Sequence, residues 1–356
     1  FVLDNYNLEE RIKKVESKSG YSEEHWQVMA GLGWLGLTVP GDYGGFDGNQ
    51  IDTMVVMEEL GKGLVVEPYF ANVLLGVRAL VAGNNKHLID KILAEIIEGR
   101  KKITVAYQEE QSGFHLHDVV THATADNENF ILNGRKCMIS NAETSDYIII
   151  SARTSGGQMD RDGITLFLVP TASEGLSFNH FPVVDGSRAS EVTIDHLVVP
   201  AVNIVGVLDD GYKVLEEIEI DAILALSAEA VGVMEVLYKD TVEYIQVREQ
   251  FDHPLADFQV LQHRMVDMFV SYEQCKSMLL RATLDVVDNG TNAKNTVHAL
   301  KHLIGKLGLF VAENAVQTHG GMGMTEELSI GHFFKRLLVI DSIFGNADYH
   351  LEQFSL

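Results

Sequence analysis

Three closely spaced glycines lie in the segment QTHGGMGM, which begins at Gln317. Gly320, Gly321 and Gly323 follow Ala299–Val316, an apolar run with helical spacing. One glycine is enough to end a helix, whereas three within four positions need a further reason. Glycine reaches positive φ angles and lets another molecule approach the backbone closely. The segment therefore indicates either an ordinary helix end followed by a loop or a row of bare amides presented to a ligand.

A cation and an aromatic residue stand about one helical turn apart, at Arg248 and Phe251. They follow a long segment of helical periodicity, and a guanidinium fork suits a diphosphate better than a point charge does. Taken alone, Arg248 is better explained as a cation that complements the dipole at a helix C-terminus, whereas together with the glycine-rich segment it favours a nucleotide.

The long helical segment also contains two carboxylates that could act as a base, in the stretch EIEIDAILALSAEAVG. Glu229 shares its face with apolar residues such as Leu226 and Val233. An unpaired ionised carboxylate on an apolar face is costly. Glu229 is therefore expected at a polar edge, paired as a structural residue, protonated, or used as a catalytic base. Asp221 is the second candidate for a base.

The patterns around these candidates divide the chain into three predicted domains. Residues 1–103 carry apolar residues at three- and four-residue spacing, which predicts helices. Residues 104–210 contain seven short segments rich in Val, Ile and Thr, separated by turn residues, which favours an antiparallel sandwich or barrel. Residues 211–356 return to long helical periods. The predicted fold class is α+β, with an N-terminal helical domain, a middle antiparallel β-domain and a C-terminal helical bundle.

Composition excludes several classes of function. The chain has 356 residues, 46% of them hydrophobic, and a formal net charge of -24, which disfavours nucleic acid and anionic membranes as partners. It has no apolar run long enough to cross a bilayer. Two separated cysteines, Cys137 and Cys275, and the lack of a signal-peptide pattern predict a reduced, cytoplasmic protein. His115 and His117 have no third ligand nearby, so no metal site is predicted.

Six stretches, in order and at matching spacing, resemble the acyl-CoA dehydrogenase family of flavoproteins. They are GLGWLGLTVPGDYGG, MEELGKGLVVEPY, AYQEEQSG, ILNGRKCMISN, REQFDHPLADFQVLQH and QTHGGMGM. The resemblance covers essentially the whole chain and implies a helical domain, a β-barrel and a C-terminal four-helix bundle that forms the core of a tetramer. Within the family, ALSAEAVG and FGNADYHL resemble the small-subunit type, which occurs beside a homologous subunit in dicarboxylate or steroid side-chain degradation.

The resemblance implies a redox reaction on a thioester. It implies FAD at a subunit interface, oxidation of an acyl-CoA to the 2-enoyl-CoA with hydride passing to flavin N5, and electron transfer to an electron-transferring flavoprotein. The chain would act in a homotetramer or in a heterotetramer with a homologous subunit. The alternative is a catalytically silent half-site subunit whose base comes from that homologous partner.

The resemblance also assigns residues to the cofactor. Arg248, Phe251 and Gln259 match residues that contact the pyrophosphate and adenosine of FAD. The glycine-rich segment matches one that covers the FAD of the neighbouring subunit, with Gln317, Gly320 and Gly321 at the matching positions. Asp252 departs from the family, which often has glycine there.

Further cofactor residues are implied in the middle domain. Gln108, Glu109 and Gly113 match a loop over the flavin, in which Glu110 replaces a proline. Ser140 matches a hydroxyl that binds flavin N5, and Met138 stands in place of a tryptophan.

The usual catalytic base is missing from its family position. A glutamate is expected near the end of the chain, where Gly345 stands. Some relatives carry the base on the long helix, where Ala222 stands here. Asp221 is one residue away and Glu229 lies seven residues beyond Ala222 on the same face. Glu229 is therefore the first candidate for the base and Asp221 the second.

Overall fold

A computed structural model describes every residue, Phe1–Leu356, and its backbone divides into two compact units. We name the first the bundle unit, and it comprises Phe1–Lys13, Gln50–Val65 and Ile223–Leu356. We name the second the sheet unit, and it comprises Lys14–Asn49 and Val66–Ala222.

Eleven α-helices occur along the chain, and the longest ones lie in its C-terminal part. In chain order they are α1 Val2–Asn5, α2 Leu8–Glu16, α3 Glu23–Gly31, α4 Gln50–Lys62, α5 Arg78–Gly83, α6 Lys86–Ile97, α7 Gly211–Val247, α8 Gln259–Val287, α9 Ala293–His319, α10 Ser329–Ser342 and α11 Ala347–Ser355. A π-helical stretch, Phe70–Val77, runs directly into α5.

The sheet unit contains an eight-stranded sheet. Its strands are β1 Ile103–Ala106, β2 His122–Asp126, β3 Asn129–Ser140, β4 Tyr147–Arg153, β5 Ile164–Pro170, β6 Leu176–Pro182, β7 Arg188–Pro200 and β8 Ile204–Val205. Seven of them follow the order β6-β7-β3-β2-β4-β5-β8, and β1 pairs with β4. The long neighbours β3 and β7 pair antiparallel, with register shifts between Leu132 and Gly134 and between Lys136 and Ile139.

Burial explains why these segments form a sheet with a core. Almost every residue of β4 and β5 is buried, as expected for central strands rich in branched apolar residues. The longer β3 and β7 instead mix buried and exposed positions. The core includes Leu132, Ile150, Phe167 and Val192, which are all fully buried.

The bundle unit is organised around α7. From Ile223 to Met234 every residue of this helix is buried, and a helix that is apolar on all sides belongs in a core. Two glycines let α4 and α7 approach closely. A Cβ on Gly61 would overlap the carbonyl oxygen of Glu229, and a Cβ on Gly232 would overlap that of Glu58. A short hairpin, β9 Glu249–Gln250 and β10 His253–Pro254, follows α7.

The predicted fold class is confirmed: helices come first, then a sheet, then long helices. All seven predicted strands are present, and β8 is an additional short one. The strand pairs are mostly antiparallel, as predicted, and two are parallel: β1 with β4, and β2 with β4 at His122 and Arg153. The domain boundaries 1–103, 104–210 and 211–356 stay a prediction. No helix combines the length and the apolar character needed to cross a membrane.

Candidate functional site

An open cavity of about 950 Å³ lies in the bundle unit, at the ends of α7 and α9. Arg248 lines it just after α7 ends, and Gly320 and Gly321 line it just after α9 ends. The guanidinium of Arg248 is exposed and forms no ion pair. Its backbone is fixed at both sides, since its N–H donates to Tyr244 O (2.9 Å) and its carbonyl accepts from Leu255 N–H (2.8 Å). The cavity therefore presents a free cation beside bare backbone.

The three glycines of the segment have three different structural roles. Gly320 has φ 63° and ψ -141°, a backbone conformation that residues other than glycine rarely adopt. Gly323 is buried, and a Cβ there would stand 2.9 Å from Val316 O and 3.1 Å from the Cβ of His319. Gly321 has no positive φ and nothing within 4 Å of where a Cβ would be. The fold of this chain gives no reason for glycine at Gly321.

The β9–β10 hairpin holds Phe251 in an exposed and strained position. Phe251 and Asp252 form its two-residue turn with φ 57° and 64°, the signature of a type I′ turn, which normally uses Asn or Gly. The Phe251 side chain is 83% exposed. Gln259 and Gln317 are also exposed, at the first turn of α8 and in the last turn of α9.

The wall of the cavity contains residues that sequence analysis missed. The rings of Tyr244 and His319 stack with centroids 4.2 Å apart. Tyr244 is four residues before Arg248, so helical spacing alone could have placed it on the same face. Two carboxylates, Asp240 and Glu243, also line the cavity. Burial raises the pKa of Asp240, and the charge of Glu243 adds to the effect.

The three candidates of the sheet unit lie on adjoining segments. Gln108 follows β1, and its carbonyl accepts from the N–H of Cys137 in β3 (2.9 Å). Ser140 ends β3, and its carbonyl accepts from Thr104 Oγ1 (2.8 Å). Gly113 is exposed with φ 53° and has open space around it. These bonds connect both β1 and the residues after it to the last residues of β3.

Met138 projects from a bulge in β3. The register of β3 against β7 shifts between Lys136 and Ile139, and Met138 there has φ 51°. Its side chain is about half exposed. A bulge re-aims a side chain at the edge of a sheet, and here it turns a soft, flexible one outward beside Ser140.

Both candidate bases are buried and paired with arginine. Glu229 accepts from Arg336 through both oxygens, Nε to Oε1 at 2.6 Å and Nη2 to Oε2 at 2.7 Å. Asp221 accepts from Arg78 Nε at 2.5 Å. Of the alternatives for Glu229, that of a paired structural residue is the one that matches these contacts. Its catalytic role and that of Asp221 stay predictions.

Gly345 occupies a position that the backbone reserves for glycine. Its φ is 111°, and a Cβ there would overlap the ring of Tyr349 and stand 2.8 Å from His350 Nε2. A glutamate at this position would therefore require the loop between α10 and α11 to rearrange. Asp348, the nearest carboxylate, is exposed and lies 2.9 Å from Lys306 Nζ.

Comparisons with known proteins agree with this architecture. Family models described as the acyl-CoA dehydrogenase N-terminal, middle and C-terminal domains match residues 5–100, 104–197 and 214–355. The chain is 28% identical to the caffeyl-CoA reductase-Etf complex subunit CarC of Acetobacterium woodii, over 92% of this chain and 87% of that one. It is 28% identical to mitochondrial isovaleryl-CoA dehydrogenase of Pongo abelii, over 92% and 82%. The solved structure of PigA with FAD and proline is 26% identical, with a TM-score of 0.92 over 100% of this chain and 94% of that one.

Proposed function

The chain belongs to the acyl-CoA dehydrogenase family, and from this we propose that it takes part in the FAD-dependent α,β-dehydrogenation of an acyl-CoA thioester. One observation carries the proposal. Arg248, Gly320 and Gly321 line one cavity, and Gly321 has neither a backbone nor a packing reason to be glycine. A dinucleotide lying against those amides would supply that reason.

The bundle unit fits the nucleotide part of FAD. A free guanidinium suits a pyrophosphate, and the exposed ring of Phe251 suits stacking or close contact with an adenine. Gln259 and Gln317 offer amides that can both donate and accept hydrogen bonds. Asp240, Glu243 and Asp252 add negative charge nearby, which works against a pyrophosphate and predicts a modest FAD affinity for the isolated chain.

The sheet unit would hold the flavin ring through Gln108, Gly113 and Ser140. FAD, when bound, supplies the hydride acceptor for this chemistry. The side chains of Gln108 and Ser140 would donate hydrogen bonds that orient the ring, and Gly113 would let the loop backbone approach it. Met138 would close one side with a deformable apolar wall.

The proposal is tested by anaerobic titration. The purified chain is loaded with FAD and titrated with acyl-CoA thioesters of different chain length and branching, and the visible absorbance of the flavin is followed. Bleaching with at least one thioester is the expected result, because hydride transfer removes the oxidised flavin. A flavin-loaded chain that bleaches with dithionite but with no thioester contradicts dehydrogenation by this chain alone.

A second candidate function is that of a half-site subunit. Both candidate bases, Glu229 and Asp221, are bound to arginine. The family position near the end of the chain is occupied by Gly345, where the positive φ and the neighbouring rings leave no room for a glutamate. In this version a homologous subunit supplies the proton acceptor in a heterotetramer, and an electron-transferring flavoprotein takes the electrons. Co-expression with candidate homologous subunits separates the two versions, since FAD content and bleaching should rise only in the mixed complex. We also propose a cytoplasmic location, which rests on the small number of cysteines, Cys137 and Cys275, and on their being free in the structure.

A further inference from the structure

A fully buried ion pair lies in the sheet unit, between Glu109 and Lys136. Lys136 Nζ is 2.6 Å from Glu109 Oε1, and the two side chains are 0% and 3% exposed. The amine also donates to Ser151 Oγ at 2.8 Å. Lysine and glutamate are almost never fully buried unless they are paired, so this pair is a specific feature of the site.

The carboxylate of Glu109 collects donors from three segments of the chain. Besides Lys136 in β3, it accepts from the N–H groups of Val120 (2.9 Å) and Thr121 (3.1 Å), which precede β2. It also accepts from Gln111 Nε2 at 2.9 Å, within its own loop. Burial alone would raise the pKa of Glu109, but Lys136 and these hydrogen bonds outweigh burial and hold the pKa below its ordinary value. The carboxylate is therefore charged and fully engaged.

The segments joined by this pair carry predicted flavin contacts. Glu109 directly follows Gln108, and Gly113 lies in the same loop. Lys136 lies four residues before Ser140, at the start of the bulge that turns Met138 outward. Because the pair fixes the loop and β3 to each other, it fixes the distance between the flavin contacts on each.

Stability alone is a poor explanation for such a pair. Removing two charges from water costs as much as or more than their attraction returns, and apolar replacements of similar volume are often equally stable. Burial lowers the pKa of Lys136 even beside Glu109, which reflects that cost. A pair that adds little net stability is more readily explained by the single geometry that it imposes on its surroundings.

We propose that Glu109 and Lys136 are positioning residues for the flavin, which hold the loop of Gln108 at a fixed separation from Ser140. The proposal rests on the proposed function, because it assumes that FAD binds there. Neither side chain needs to touch the cofactor. Their effect is to pre-organise the residues that do, and pre-organisation appears in affinity.

Two variants separate positioning from stability. The double variant Glu109→Gln/Lys136→Met removes both charges with little change in volume, so it should fold. The amide that replaces the Glu109 carboxylate has one acceptor oxygen where the carboxylate has two, so it holds the Val120 and Thr121 N–H groups less completely. Glu109→Asp keeps the charge but shortens the side chain, so it no longer reaches all its donors. For the double variant we expect a thermal midpoint near that of the unmodified chain, and for Glu109→Asp a lower one, because the buried Lys136 is then incompletely paired. For both variants we expect a dissociation constant for FAD at least tenfold higher, measured by equilibrium dialysis.

The matched control is Arg135→Gln. Arg135 is next to Lys136 in β3 and also pairs with a glutamate, Glu191, at 2.8 Å, but this pair is exposed. The control should leave FAD affinity unchanged. A folded double variant or Glu109→Asp variant with unchanged FAD affinity overturns the proposal, as does failure of both to fold, which would make the pair essential to the fold itself. An unmodified chain that binds no FAD, alone or with its homologous subunit, instead overturns the proposed function.

Discussion

Replacement of Gly321 by alanine should change stability and FAD binding in opposite directions. The position has no positive φ, and no atom lies within 4 Å of an added Cβ. A glycine-to-alanine change at such a position reduces the freedom of the unfolded chain and stabilises a protein by about 0.4–1 kcal/mol. We therefore expect Gly321→Ala to raise the free energy of unfolding by that amount.

The same methyl group should interfere with a nucleotide that lies on the backbone amides. We expect the dissociation constant for FAD to rise at least tenfold, which corresponds to about 1.4 kcal/mol. Urea unfolding of the cofactor-free protein measures the first effect, and equilibrium dialysis with FAD measures the second. A purely structural glycine cannot produce this combination, since its loss would reduce stability as well.

Two other glycines serve as controls. Gly31, at the end of α3, is exposed and also has open space around it, so Gly31→Ala should stabilise the chain and leave FAD binding unchanged. Gly323→Ala should destabilise it by about 1–3 kcal/mol, because the methyl group would crowd Val316 and His319. If Gly321→Ala binds FAD as tightly as the unmodified chain, the backbone there is not a cofactor surface and the central argument fails.

Three further predictions concern Glu229, Asp252 and His298. Glu229→Leu removes the buried carboxylate that accepts two charge-assisted hydrogen bonds from Arg336, so the free energy of unfolding should fall by about 3–5 kcal/mol, and Glu229→Leu/Arg336→Met should regain most of it. An unchanged urea midpoint in the single variant would show that the pair is solvated. Asp252→Gly removes a side chain from φ 64° and a negative charge from the hairpin, so stability should rise by up to about 1 kcal/mol and FAD should bind more tightly in dialysis. Burial lowers the pKa of His298 to about 4 and that of His350 to about 3, from an ordinary 6.5, so both rings are neutral in the folded chain and take up protons on unfolding. The stability that comes from keeping both rings neutral is fully present above the ordinary histidine pKa and is lost as the pH falls below it, at about 1.4 kcal/mol for each unit by which the pKa is lowered. Urea midpoints measured between about pH 7.5 and about pH 4.5 should therefore fall less steeply in a His298→Asn variant. Equal slopes would contradict the lowered pKa of His298.

The fold was predictable where local periodicity decides it. The strands and the long helices follow from spacing of two and of three to four residues, and the structure shows them close to the expected bounds. The parallel pairing of β1 with β4 was not predictable in this way, because it depends on the path of the chain between Ala106 and Tyr147. No separate bounds were predicted for α11, which begins directly after Gly345 and Asn346.

The candidate site was predictable to a different degree in its two parts. Gly320 and Gly321 are conspicuous because the glycines are closely spaced, and Arg248 because it ends a periodic run, but spacing alone left a helix end and a helix-dipole cation as alternatives. The family resemblance is what assigned these residues to one function. The partner of Glu229 lies 107 residues away, at Arg336, and nothing in local sequence shows that the two meet. Sequence therefore could state that Glu229 must be paired, protonated or used, but not which.

The geometry of Glu229 bears on which subunit performs proton abstraction. A base must bring an oxygen lone pair to the substrate carbon, within hydrogen-bonding reach. Both oxygens of Glu229 accept charge-assisted hydrogen bonds from one guanidinium, so the lone pairs that face Arg336 are occupied and only the remaining ones could reach a substrate carbon unless Arg336 moves. Asp221 accepts one such bond through Oδ2, from Arg78 Nε.

The nucleotide cavity, by contrast, needs no such rearrangement, since Arg248 is free and Gly321 is open. Binding of FAD and abstraction of a proton therefore require different residues of this chain. In the present arrangement of side chains, only the residues for FAD binding are available. A heterotetramer would resolve the difference by letting a homologous subunit supply the base. On this argument, Glu229→Gln in the mixed complex should leave flavin bleaching by thioester within a few-fold of its original rate. A loss of a thousandfold or more, with the complex and its FAD intact, would instead identify Glu229 as the base and show that the arginine pair opens during turnover.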